Sequence, residues 1–153
     1  MSAPGEHRDA LSAWNIGKVM ASRLVNRGEV NRNFIIRTSH DKFVLRQVSR
    51  THHKSAGDLE FELAYLDHLR TASLPYSVPS AIATKKGSLF VTVQGHYYWL
   101  YRFLEGKVIE RLNQPRLAQL AEMTASYHQL IERFTLKNGK GGFRLAQPNC
   151  YVE

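Results

Sequence analysis

Apolar and polar positions change period several times along the chain. After a polar start, the apolar residues of 10–14 predict a short helix capped by Asp9. From Lys18 the spacing is that of strands, over residues 19–25, 33–39 and 42–48. His40-Asp41 reads as a two-residue turn between the second and third, and residues 26–32 as a polar loop between the first two. Such short connections predict an antiparallel meander. The period then lengthens: Leu59, Leu63, Leu66 and Leu69 form one stripe of 58–70, an amphipathic helix begun at Gly57-Asp58 and stopped by Leu74-Pro75. Strand spacing returns over 80–84, 88–94 and 97–103, broken by Lys85-Lys86-Gly87 and Gly95-His96. Past Gly106, Asn113 and Pro115 open a second long helix with Leu117, Leu120, Thr124, Tyr127, Ile131 and Phe134 along one side. The order β-β-β-α-β-β-β-α, without internal repeats, predicts an α+β fold.

The chain's 153 residues suffice for one domain, and 43% hydrophobic against 22% charged residues excludes global disorder. No run approaches the ~20 apolar residues needed to cross a bilayer, and the start has no apolar signal-peptide core. The single cysteine, Cys150, can form no internal disulfide, so a reducing cytoplasm is the expected setting. A net charge of +8 favours polyanionic partners without choosing among nucleic acid, acidic lipid and nucleotide phosphates. The basic residues are spread along the chain, and Tyr97, Tyr98, Trp99 and Tyr101 fall within one strand, which argues against nucleic acid. The only adjacent histidines, His52-His53, lie in a polar loop with no ligand spacing around them, so no metal site is expected. Residues 137–142, Lys-Asn-Gly-Lys-Gly-Gly, read as a flexible connector; no Gly-Lys-Ser/Thr closes them into a Walker loop. His128, beside Tyr127, reads as a packing residue.

Two charges interrupt the apolar pattern. Glu62 lies three positions after Leu59 and four before Leu66, on the buried side of its helix. Alternation puts Arg46 on the same strand face as Val44 and Val48. A carboxylate or guanidinium on an apolar face is costly unless the two meet, so Arg46 and Glu62 are expected to pair. Such a pair can be purely structural, or it can orient the guanidinium toward a phosphate.

In this order and spacing, several segments resemble a known family. They are Asn31-Arg32-Asn33-Phe34-Ile35-Ile36, Phe43-Val44-Leu45-Arg46, Leu59-Glu60-Phe61-Glu62-Leu63, Leu74-Pro75 with Val78-Pro79, and Tyr98-Trp99-Leu100-Tyr101-Arg102-Phe103-Leu104-Glu105-Gly106. Together they resemble the N-terminal lobe of the aminoglycoside phosphotransferase-like kinases. That superfamily, with homoserine kinase of the second type, choline kinase and fructosamine kinases, shares the protein-kinase-like fold. The resemblance implies an ATP-binding lobe over 18–105, preceded by a 1–17 extension. It is followed by a hinge exit and first C-lobe helix over 106–136 and a flexible tail over 137–153. It implies that the loop ending at Asn31 and Asn33 covers the ATP phosphates, that Arg46 is the phosphate-contacting strand cation (usually Lys), and that Glu62 is its helix partner. Tyr101 then stands at the gatekeeper position, and the Arg102 carbonyl and Leu104 amide meet the adenine edge.

The same resemblance marks an absence. The family's His-Gly-Asp and Asp-x-Asp signatures, which supply the catalytic Asp and the Mg²⁺ ligands, do not occur, and no Asp follows Asp67. It therefore implies a truncated or split kinase that uses ATP with Mg²⁺ but cannot complete transfer alone. A separate C-lobe chain or partner protein would cover the helix over 113–134. The alternative is a kinase remnant acting as a regulatory module through that helix.

Overall fold

A five-stranded antiparallel sheet organises this computed structural model, which describes residues 6–25, 31–48, 55–72, 74–107, 109–132 and 134. In chain order the elements are α1 (Glu6–Leu11), β1 (Val19–Val25), β2 (Arg32–Thr38), β3 (Lys42–Val48), α2 (Ala56–Thr71), β4 (Val91–Val93), β5 (His96–Arg102) and α3 (Gln114–Glu132). The strands lie side by side as β1-β2-β3-β5-β4, so β3 is central and α2 is the crossover between β3 and the β4–β5 hairpin.

Alternation along β3 and β5 divides the core into two clusters, one on each face of the sheet. Phe43, Leu45, Tyr98 and Leu100 turn to one face with Phe34 and Ile36 of β2, where Ala10, Leu11 and Trp14 cover them. Val44, Val48, Trp99 and Tyr101 turn to the other and pack against Leu59 and Leu63 of α2. The predicted α+β meander and amphipathic helix are thus present, with α2 laid across the face that carries Arg46.

Several boundaries differ from those expected, each for a local reason. The first helix begins at Glu6 and ends at Leu11, with Asp9 inside it; the Asp9 carbonyl accepts the Ser12 amide at 3.2 Å. What holds this segment is burial of Ala10, Leu11 and Trp14, and the Trp14 indole N–H donates to the Ile82 carbonyl at 2.7 Å. The turn after β2 is longer than two residues. The Thr38 amide donates to the Asp41 carbonyl at 2.9 Å, and the Asp41 amide returns to the Thr38 hydroxyl at 3.1 Å. The α2 cap is Ser55 rather than Gly57-Asp58. Ser55 Oγ accepts the Asp58 amide at 3.2 Å and Asp58 Oδ2 accepts the Ser55 amide at 2.8 Å, a reciprocal capping box.

Residues 80–84 form no strand; they contribute one bridge, Ala81 to Tyr101, and an Ile82 amide bond to the Leu100 carbonyl at 2.8 Å. The expected strand over 88–94 shrinks to Val91–Val93, because local side-chain bonds take its first residues. The Ser88 hydroxyl donates to the Phe90 carbonyl at 2.8 Å, and the Ser88 amide donates to the Thr84 hydroxyl at 3.1 Å. The hairpin turn is Gln94-Gly95, with φ of 48° and 77°, the mirror-image turn that matches strand twist. α3 opens at Gln114, where Asn113 Oδ1 accepts the Arg116 amide at 3.2 Å. His52-His53, the centre of the 26–32 loop and the 137–153 tail lie outside the described residues. No helix among the described residues is long and apolar enough to cross a membrane.

Candidate functional site

One row of side chains crosses three strands on the α2 face. In the antiparallel register Asn33 of β2 stands opposite Arg46 of β3, and Arg46 opposite Trp99 of β5. Directly opposed residues have neighbouring side chains, so β3 delivers its cation between an amide and an indole. The Arg46 Nε–H donates to Asn33 Oδ1 at 3.1 Å. The guanidinium carbon lies 5.3 Å from the Trp99 ring centroid and 6.0 Å from that of Tyr101, within range of cation–π attraction. The two rings are themselves packed, 4.9 Å apart and tilted by 32°.

Glu62 approaches from above. Leu59 and Leu63, both fully buried against the sheet, fix the rotation of α2 and set Glu62 on its sheet-facing side. Arg46 Nη1 and Glu62 Oε1 are 3.9 Å apart, with side chains 26% and 29% exposed. This is an ion pair in a partly solvated cleft, longer than a direct hydrogen bond. With Nε committed to Asn33, the Nη edge is the part of the guanidinium able to meet a further anion, and its fork suits the oxygens of a phosphate. The expected Arg46–Glu62 pair is therefore present in space, on the expected face.

A second set of contacts anchors α2 from its far side. Tyr65 lies 5.7 Å from the Tyr127 ring and 5.1 Å from Phe134, while Phe61 and His68 also reach Phe134, at 5.5 and 5.1 Å. Burial, with Tyr127 beside it, pushes the Tyr65 phenol well above its ordinary value, so it stays neutral. α2 thus packs on the sheet through Leu59 and Leu63 and on Tyr127 and Phe134 through Tyr65. His128, expected to pack, is exposed instead.

β5 runs out at Arg102 into the expected hinge. The Phe103 amide donates to the Lys42 carbonyl at 2.9 Å, and the Lys42 ammonium sits 3.3 Å over the Phe103 ring and 3.6 Å from Glu105. Tyr101 faces the Arg46 side, but the Arg102 guanidinium pairs with Asp41 at the β2–β3 turn. Leu104 lies past the end of β5, 40% exposed, and Asn31 immediately precedes β2. The structure thus gathers Asn33, Glu62 and Tyr101 around Arg46, with the Arg102 side chain directed elsewhere. Trp99 is core, as its strand position suggests, fully buried and packed beneath Arg46 and beside Tyr101. The signal for that contact is parity with Tyr101, two residues on, once β3 and β5 are known to pair.

The arrangement presents a forked cation held on one edge, beside the Trp99 and Tyr101 rings and the exit of β5. Among the described residues no three His, Cys, Asp or Glu side chains converge to hold a metal ion.

Comparison with known proteins bears on the family and the fold. Residues 22–145 match the model of the phosphotransferase enzyme family. Among curated proteins, the chain is 26% identical over 132 residues to a homoserine kinase of Agrobacterium fabrum, covering 86% of this chain and 40% of that protein. It is 28% identical over 127 residues to the homoserine kinase of Rhizobium meliloti, covering 83% and 38%. The chain thus spans about two fifths of the length of these relatives. Among solved structures, a microcompartment-associated aminopropanol kinase superposes with a TM-score of 0.74 at 24% identity, over 90% of this chain and 43% of that one. An aminoglycoside phosphotransferase from Alicyclobacillus acidocaldarius gives 0.69 at 12% identity, over 85% and 36%. The sheet with its crossing helix is therefore the N-terminal lobe of a kinase-like fold, and the chain belongs to the phosphotransferase enzyme family.

Proposed function

We propose that this chain supplies the ATP-gripping lobe of a cytoplasmic small-molecule kinase, one that passes the γ-phosphoryl group to an alcohol. The observation that carries the reading is the Arg46–Glu62 pair at 3.9 Å, built over Trp99 and Tyr101 in a chain of this family. In this reading Asn31, just before β2, lies by the phosphates, and Arg46, held by Asn33 of β2, meets a phosphate oxygen while Glu62 keeps it oriented. Tyr101 borders the adenine, whose edge meets the Arg102 carbonyl and the Leu104 amide. The catalytic Asp and the Mg²⁺ ligands come from a further lobe, in the same polypeptide or another. The names of the relatives, homoserine kinase and aminopropanol kinase, suggest a small amino alcohol as acceptor.

Calorimetric titration of the chain with Mg-ATP tests this, wild type against Arg46→Ala. Weak saturable binding that the substitution lowers by about tenfold or more is expected. Equal affinity in both proteins removes Arg46 from the site.

One feature favours a second reading. No described residue of α3 is buried, and Leu117, Leu120 and Tyr127 are 49%, 41% and 38% exposed. A helix with so much apolar surface needs a cover. The cover is the further lobe on the first reading, and an unrelated partner protein on the second, in which the chain is a regulatory remnant. A chain that binds no nucleotide yet forms a defined complex by light scattering with another protein favours the second.

A further inference from the structure

The strand cation of this site is an arginine, and its neighbours are arranged for a planar group rather than a point charge. Three contacts fix the guanidinium from three directions. Asn33 Oδ1 takes the Nε–H at 3.1 Å, Glu62 faces Nη1 at 3.9 Å, and the Trp99 and Tyr101 rings lie 5.3 and 6.0 Å from its carbon. A lysine ammonium is a compact, rotating set of donors on a flexible stem; it has no internal edge for Asn33 to hold while its tip reaches Glu62. Asn33 is only half-buried, so its amide has water as an alternative partner. Its bond to Arg46 follows from the register, which places the two directly opposite across β2 and β3.

We propose that Asn33 is a positioning residue. By holding the inner Nε edge of Arg46 it sets the guanidinium plane over Trp99 and Tyr101, turns the Nη edge toward a phosphate-bearing ligand, and makes the site specific for arginine. The ligand rests on the nucleotide reading given above; the orientation does not. Asn33 acts through Arg46 and needs no contact with the nucleotide itself.

The experiment has two arms on the full chain. The first follows the Arg46 Nε–H by ¹⁵N NMR, in wild type and in Asn33→Leu, which keeps the size and removes the acceptor. A resolved, slowly exchanging signal is expected in wild type, lost in Asn33→Leu and kept in Asn33→Asp, where an oxygen remains. The second compares binding of ATP and of adenosine. Asn33→Leu and Arg46→Lys should each weaken ATP about tenfold, leave adenosine unchanged, and show no further loss when combined.

An Nε–H equally protected in Asn33→Leu, or ATP and adenosine weakened alike, overturns the proposal. So does additivity in the double variant, which would mean that Asn33 does not act through Arg46. A wild type with a protected Nε–H, lost in Asn33→Leu, that binds neither ATP nor adenosine refutes the nucleotide reading while upholding the positioning.

Discussion

Removing both charges of the Arg46–Glu62 pair should cost less than the sum of removing each alone, and the difference measures how dry the cleft is. At about 4 Å two unit charges attract by about 1 kcal/mol in bulk water and about 4 kcal/mol at the effective dielectric of a protein boundary. The observed separation is 3.9 Å, and the side chains are 26% and 29% exposed, so the raw attraction lies between these limits. Desolvation offsets part of it. A fully exposed pair would couple by only about 0.2–1 kcal/mol. The expected coupling is therefore about 1–2 kcal/mol, read from a double-mutant cycle of Arg46→Gln and Glu62→Gln by urea unfolding. Raising salt from about 0.05 to 0.5 M should reduce it by less than half, because the sheet and α2 shield one side of the pair. A coupling below about 0.3 kcal/mol, or one erased by salt, would make the pair a surface contact and refute its preorganisation.

Other elements yield simpler expectations. Leu63→Ala removes a side chain wedged between α2 and the sheet and should cost about 2–5 kcal/mol in thermal or urea unfolding. It should weaken the Arg46–Glu62 coupling as well. Ser55→Ala breaks the capping box and should cost about 1 kcal/mol by the same assays. His7 stacks on Phe34 at 4.5 Å, and burial, then Arg8 and Arg32, hold its imidazole below the ordinary 6.5. The unfolded chain therefore takes the proton first as pH falls. The stability that neutral His7 contributes is complete above pH 6.5 and is lost on acidification through its folded value. Melting temperatures of wild type should fall more between pH 7.5 and 5.5 than those of His7→Phe, which keeps the ring and cannot titrate; equal slopes would refute this.

Much of this arrangement can be read before any coordinates. Strict alternation in Phe43-Val44-Leu45-Arg46 fixes which face Arg46 takes, because a strand side chain has only two choices. The four-residue spacing of Leu59 and Leu63 does the same for Glu62. The pairing of these two needs only that α2 cross the sheet, which the short connection after β3 requires. Trp99 and Asn33 are different. Their contacts depend on how β2 and β5 register against β3, a property of pairing between distant segments that no local pattern carries. The segment over 80–84 shows the converse error. Its apolar alternation suits a strand, but after one bridge to β5 the Ile82 carbonyl accepts the Trp14 indole N–H instead of continuing the ladder. Ser55 was legible, since Ser-x-x-Asp precedes the first apolar residue of α2, yet Gly57-Asp58 is the more conspicuous start signal.

A nucleotide gripped between α2 and the sheet would perturb amide and arginine side-chain NMR signals as Mg-ATP is added. The largest shifts are expected at the Arg46 side chain and at the backbone of 101–104, with ADP and adenosine progressively losing the Arg46 shift while keeping those of the hinge. Shifts clustered on the α1 face of the sheet, or none at Arg46 at saturating ATP, would contradict the nucleotide reading.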